Sequence, residues 1–140
     1  MKLVDANVLI YSVDGSAKHH ESAKRWLDHA LGSMETVLLP WVSLLAFVRI
    51  VTHPRIYDEP LQTSAALDIV ELWLSSPAAH VPDDSRDVLG HLRTHLGSTG
   101  SGGNLVNDAY LAALARAHSA EIITFDSDFG RFPGVQWARP

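Results

Sequence analysis

Asp5, Asp108 and Asp126 are the side chains of this sequence whose type and surroundings point to chemistry. Asp5 interrupts an apolar run, with Leu3 and Val4 before it and Val8, Leu9 and Ile10 after it. Runs of this kind build buried parallel strands. An ionised carboxylate in such a place costs several kcal/mol unless a metal ion, a cation or hydrogen bonds compensate it. Ligands of open parallel sheets bind at the carboxyl ends of strands, so an Asp at that end is a candidate metal ligand. Asp126 closes a second run, Glu121-Ile122-Ile123-Thr124-Phe125, with Asp128 two residues on, and Asp108 falls near the start of the helix leading into that run. Each acid also has a structural reading. Asp5 can cap a helix starting near Ala6 or Asn7, Asp108 gains roughly 0.3–1 kcal/mol from a helix dipole, and Asp126 and Asp128 suit an ordinary turn.

The elements that must position these acids alternate between strand and helix. A helix is expected over Ser16 to Leu31, ended by Gly32, with Ala23, Trp26, Leu27, Ala30 and Leu31 at helical spacing. His19, His20 and His29 on it read as solvated surface. Thr36 to Pro40 reads as a short strand. Trp41 to Thr52 reads as a helix apolar over most of its surface, with Leu44, Leu45, Phe47, Val48 and Val51. After a break at His53-Pro54, a third helix runs from about Ser64 to Leu74, then a strand within Ala78 to Pro82. Asp83 to Leu96 reads as a helix capped by Asp84 or Ser85, with Val88, Leu89, Leu92 and Leu96 on its inner face. His91 and His95 stand at a zinc-compatible spacing, but no Glu beside the first and no third ligand supports that reading. The Gly97 to Gly103 stretch has the composition of a flexible loop and lacks the Gly-Lys-Ser/Thr ending of a phosphate-binding loop. A helix from about Asn104 to His118, with Leu111, Leu114 and Ala115 inward, leads to the strand Glu121 to Phe125; Val135 to Trp137 is a last strand.

This alternation predicts one α/β domain over residues 1–140, a mainly parallel central sheet flanked by helices and joined by right-handed crossovers. On that topology Asp5 and Asp126 lie on the same edge of the sheet. A crossover helix starts near that edge, so Asp108 lies there too. Carboxylates brought together raise one another's pKa and repel unless a divalent cation binds. Asn7 and Thr124 are placed to orient them by hydrogen bonds. The pattern therefore points to a metal site.

Composition bounds the class. With 46% hydrophobic and 19% charged residues, the chain fits an ordinary globular domain. No apolar stretch approaches a membrane span, and Asp5 sits where the apolar part of a signal peptide would be. The absence of cysteine excludes disulfides and thiolate metal sites and fits a cytoplasmic address. A net charge of −5 argues against a general nucleic-acid coat protein, but not against an enzyme whose acids hold a cation that meets phosphate.

The motifs Asp-Ala-Asn-Val-Leu-Ile-Tyr at the start, Asn-Asp-Ala-Tyr-Leu-Ala-Ala-Leu-Ala in the penultimate helix and Thr-Phe-Asp-Ser-Asp-Phe near the end resemble those of PIN-domain ribonucleases. They are similar in particular to the VapC-like toxins of bacterial toxin–antitoxin pairs. The likeness spans nearly the whole chain. It implies a three-layer α/β/α fold and a Mg2+- or Mn2+-dependent endoribonuclease, with Asp5, Asp108 and Asp126 as catalytic and metal-binding acids and Asp128 close by. It also implies an antitoxin whose chain crosses the acidic cleft. One position departs: the family usually carries a Glu where this chain has Ala46, which leaves one or two metal ions as alternatives.

The expected chemistry is metal-assisted phosphodiester hydrolysis, with Arg49, Arg55, Arg93 and Arg116 as candidates to contact RNA phosphate. Two other readings compete. One is a PIN-like binding module that cuts poorly, which Ala46 allows. The other is a phosphatase using Asp5 as nucleophile, weakened because the second Asp such an enzyme uses is Asn7 here. Finally, the helix from Trp41 to Thr52, with Trp73 and two leucines of the next helix beside it, has more apolar surface than one sheet covers. That predicts a homodimer.

Overall fold

The computed structural model describes residues 1–84, 86–100, 102–103 and 105–140. Ser85 as a cap, Ser101 in the glycine run and the helix start at Asn104 lie outside them. Five strands form one wholly parallel sheet in the order β3-β2-β1-β4-β5. The strands are β1 (Lys2–Val4), β2 (Val37–Leu38), β3 (Ala79–His80), β4 (Glu121–Ile123) and β5 (Trp137–Ala138). The helices are α1 (Ala6–Val13), α2 (His20–Leu31), α3 (Trp41–Val51), α4 (Thr63–Leu74), α5 (Arg86–Thr99) and α6 (Leu105–Ala117), with a 3-10 turn over Ser127–Arg131.

Alternation along the short strands sends side chains to two cores. Val4, Val37 and Ile123 point to the core shared with α1 to α4, whereas Leu3, Leu38 and Ile122 point to the core shared with α5 and α6. The result is the expected three-layer α/β/α arrangement. From β1 the chain moves outward to β2 and β3, then returns to pair β4 on the other side of β1. The reversal makes the gap between the carboxyl ends of β1 and β4 a topological switch point, where α/β sheets bind ligands.

Several local expectations are corrected. The first helix starts immediately after Asp5. The Ser16–Leu31 helix begins only at His20, because Asp14 Oδ1 accepts from both the backbone N–H and the hydroxyl of Ser16 and holds a turn between α1 and α2. His20 Nδ1 lies 2.8 Å from the Tyr11 carbonyl and His19 stacks on Phe125 at 4.5 Å, so neither is plain surface. On α5 Val88, Leu92 and Leu96 face the core as expected, joined by His95, which is 1% exposed, while Leu89 is 58% exposed. Gly97 to Thr99 continue α5 instead of forming loop; the chain turns at Gly100 and Gly103, both at positive φ. Trp73, expected on the surface, is buried against Phe47 at 4.8 Å.

Candidate active site

Asp5 follows β1 directly and its backbone N–H still bonds the Ile123 carbonyl at 3.0 Å, so its carboxylate stands at the switch point. The capping reading of this residue holds, and the same carboxylate is held by two further donors. Its Oδ1 accepts from the Ala6 N–H at 2.7 Å and caps α1, while Oδ2 accepts from Asn7 Nδ2 at 2.8 Å and from the Thr124 hydroxyl at 2.7 Å. Asn7 Oδ1 in turn accepts from the Phe125 N–H at 3.2 Å, and Thr124 Oγ1 accepts from the Asp126 N–H at 2.9 Å. The orienting roles expected of Asn7 and Thr124 are therefore realised, across 117 to 119 residues of sequence.

Asp108 faces Asp5 from the first turn of α6, across a cleft whose wall from α3 carries Val42, Ser43 and Ala46; Asn107 completes the α6 side. Asp126 lies beside this cleft as the cap of the 3-10 turn, its Oδ1 accepting from the Asp128 N–H at 2.8 Å. Burial, followed by the negative charges of Asp108 and Asp126, pushes the Asp5 carboxyl up to about 6 against the lowering effect of its hydrogen bonds. Burial and then the charge of Asp126 also raise Asp108, with Arg131 acting in the opposite sense. The mutual repulsion expected of converging acids is thus present at two of the three.

The donors on the cleft are oxygens and amides, with no imidazole among the described lining residues. That set suits a hard divalent cation such as Mg2+ or Mn2+. Among the described residues no three His, Cys, Asp or Glu side chains stand close enough to cage an ion.

A family model, the PIN domain, matches residues 2–135. The chain belongs to the PIN-domain family. It is 47% identical over 143 residues to Ribonuclease VapC37 of Mycobacterium tuberculosis (strain ATCC 25618 / H37Rv), covering 100% of this chain and 97% of that protein. It is 32% identical to Ribonuclease VapC31 of the same strain, covering 100% and 99%. Among solved structures, VapBC2 from Rickettsia felis bound to a promoter DNA fragment matches at TM-score 0.69 with 25% identity, covering 99% of this chain and 97% of that one. The Mycobacterium tuberculosis VapC20 toxin matches at TM-score 0.73 over 100% of both chains; at 18% identity it speaks for the fold alone.

In this PIN domain Ala46, where the resemblance implies a Glu, lines the same cleft as Asp5 and Asp108. Asp128 is 61% exposed and pairs with Arg131 at 2.9 Å. The four arginines singled out from sequence are not gathered at the cleft. Arg49 and Arg55 are exposed at and beyond the far end of α3, and Arg93 is exposed on α5. Arg116 stands two turns along α6 from Asp108 and donates to the Gly134 carbonyl at 2.8 Å. Arg131, whose charge acts on Asp108, was missed in the sequence; its signal was the three-residue spacing from Asp128. Ser43 and Asn107 were missed as well. Asn107 could have been found as the neighbour of Asp108, but Ser43 carried no local mark.

Proposed function

We propose that this PIN domain is a Mg2+- or Mn2+-dependent endoribonuclease, the toxin of a toxin–antitoxin pair. The observation that carries the reading is the half-buried Asp5 carboxylate, held by three donors and facing Asp108 at the switch point, in a chain 47% identical to a named ribonuclease. Among the described residues three donors fix Asp5, which leaves Oδ1 able to take one more partner. Asp5 and Asp108 are the residues that would hold the cation, with Asp126 adding negative charge beside them. When bound, the cation supplies a more acidic water and neutralises charge on the phosphate. Hydrolysis adds water across a P–O bond: the water gives up a proton and the departing ribose oxygen takes one. The acids of the cleft accept and hold that proton, and Arg131 is the cation on hand for a phosphate oxygen.

The partner reading rests on VapBC2, a toxin–antitoxin complex to which this chain is 25% identical over nearly its whole length. An antitoxin segment crossing the cleft would set a cation against Asp5 and Asp108. A binding module with weak or no nuclease activity is favoured by one observation, the alanine at position 46 on the cleft wall. Incubation of RNA with the purified protein, with and without divalent metal, separates the two. Metal-dependent cleavage that is lost in Asp108→Asn is expected; product formed equally in chelator, or by Asp108→Asn, overturns the nuclease site.

A further inference from the structure

Ser43 lies in the first turn of α3, is 2% exposed, and its hydroxyl meets no hydrogen-bonding partner among the described residues. Helical serines normally return the hydroxyl to a carbonyl one turn back. Ser12, Ser75 and Ser98 of this chain do so, onto Leu9, Leu72 and His95 at 2.7, 2.7 and 2.8 Å. The carbonyl one turn back from Ser43, on Pro40, already accepts from the backbone N–H groups of Ser43 at 2.9 Å and Leu44 at 3.1 Å. A buried hydroxyl without a partner costs about 1–3 kcal/mol. Ser43 is among the residues lining the cleft that Asp5 and Asp108 face, three residues before Ala46 and therefore on the same side of the helix.

We propose that Ser43 Oγ is an oxygen ligand of the divalent cation held at Asp5 and Asp108, the neutral donor that α3 supplies in place of the carboxylate absent at Ala46. The inference rests on reading the cleft as a cation site and assigns it a ligand. A hydroxyl donor keeps the cleft one charge less negative than a carboxylate would, so Ser43 holds the cation while adding no repulsion to Asp5 and Asp108. It also explains an unsatisfied polar group that the protein fold alone leaves costly.

The test is direct cation binding, read by calorimetry and by the electron paramagnetic resonance of free Mn2+, on the full chain and three variants. Ser43→Ala should weaken Mn2+ uptake by roughly tenfold or more, while its metal-free melting temperature stays equal to or above that of wild type, because an orphaned hydroxyl is removed. Ser43→Thr should retain Mn2+ binding. Ser43→Cys should lose Mn2+ affinity and gain Cd2+ affinity over wild type, since a thiolate selects the softer ion and the chain has no other cysteine. The ligand assignment is overturned if Ser43→Ala binds Mn2+ like wild type and Ser43→Cys gains nothing for Cd2+. In that case a wild type that still binds Mn2+ and cleaves RNA leaves the nuclease reading standing. A lower metal-free stability of Ser43→Ala with unchanged Mn2+ binding would also overturn it, by revealing a partner inside the fold. If wild type takes up no Mn2+ at all, the nuclease reading and the ligand assignment fall together.

Discussion

Asp5 does two jobs with one side chain, and they can be separated by the choice of replacement. Asparagine caps a helix as well as aspartate does, so Asp5→Asn keeps the bond from the Ala6 N–H while removing a charge buried beside two others. Its new amide Nδ2 cannot accept from Asn7 Nδ2 as Oδ2 does, which offsets the relief of charge, so its metal-free melting temperature should change little while its stabilisation by Mg2+ or Mn2+ disappears. Asp5→Ala should melt below Asp5→Asn by about 1 kcal/mol or more, because the cap is lost as well. Thermal unfolding of both variants with and without Mn2+ checks the pair. At Ala46 the reverse change is informative. Ala46→Glu puts a carboxylate on the cleft wall and should tighten Mn2+ binding by roughly 10- to 100-fold and raise cleavage, measured by titration and an RNA gel. Asp5, Asn7, Thr124 and Asp126 were legible in the sequence because strand ends and turn residues announce themselves locally. Ser43 and Arg131 were not, since the pairing of one and the facing of the other exist only after α3 and the 3-10 turn have packed.

At the scale of the elements, α5 shows what local pattern misses. Its apolar spacing suggested Leu89 inward, but the helix turns Val88 and His95 to the core and leaves Leu89 in solvent. His95 packs edge-on to Phe132 at 5.3 Å, and neither ring nitrogen finds a partner among the described residues. Burial, with His91 on the same helix and Arg116 on α6, lowers its pKa from the usual value. The folded state therefore resists a proton that the unfolded chain accepts below about pH 6.5. Stability from this group is complete above that pH and is lost as pH falls below it. Asp5 acts oppositely, since its raised carboxyl favours the folded state as pH drops through about 6. The comparison of wild type with His95→Leu cancels Asp5. His95→Leu should be more stable by about 1–3 kcal/mol at neutral pH, and the gap should widen between pH 6.5 and pH 5 (about the range over which a free imidazole titrates). Urea midpoints across that range measure it. The helices themselves were legible as amphipathic runs. The late start of α2 was not, because it depends on the Asp14–Ser16 turn, and Trp73 was misplaced because Phe47 supplies its pocket from another helix.

At the scale of the whole molecule, the parallel sheet followed from the alternation of strands and helices, whereas the strand order and the outer surface did not. The apolar patch expected of α3 and α4 persists without Trp73: Trp41 is 52% exposed, Leu45 59%, Leu67 54% and Leu72 70%. A two-fold dimer burying these residues is expected, and Leu45→Glu with Leu72→Glu should give a monomer in sedimentation while leaving the melting curve of the fold intact. A wild-type monomer at micromolar concentration would rule the dimer out. The hydrogen bond from Thr124 to Asp5 spans 119 positions of the chain. On a ribosome, where chains emerge amino end first, Asp5 is made long before the strand that orients it. A nascent chain therefore cannot assemble this cleft beside the RNA that is making it until β4 and the turn holding Asp126 have followed, 119 residues and more behind.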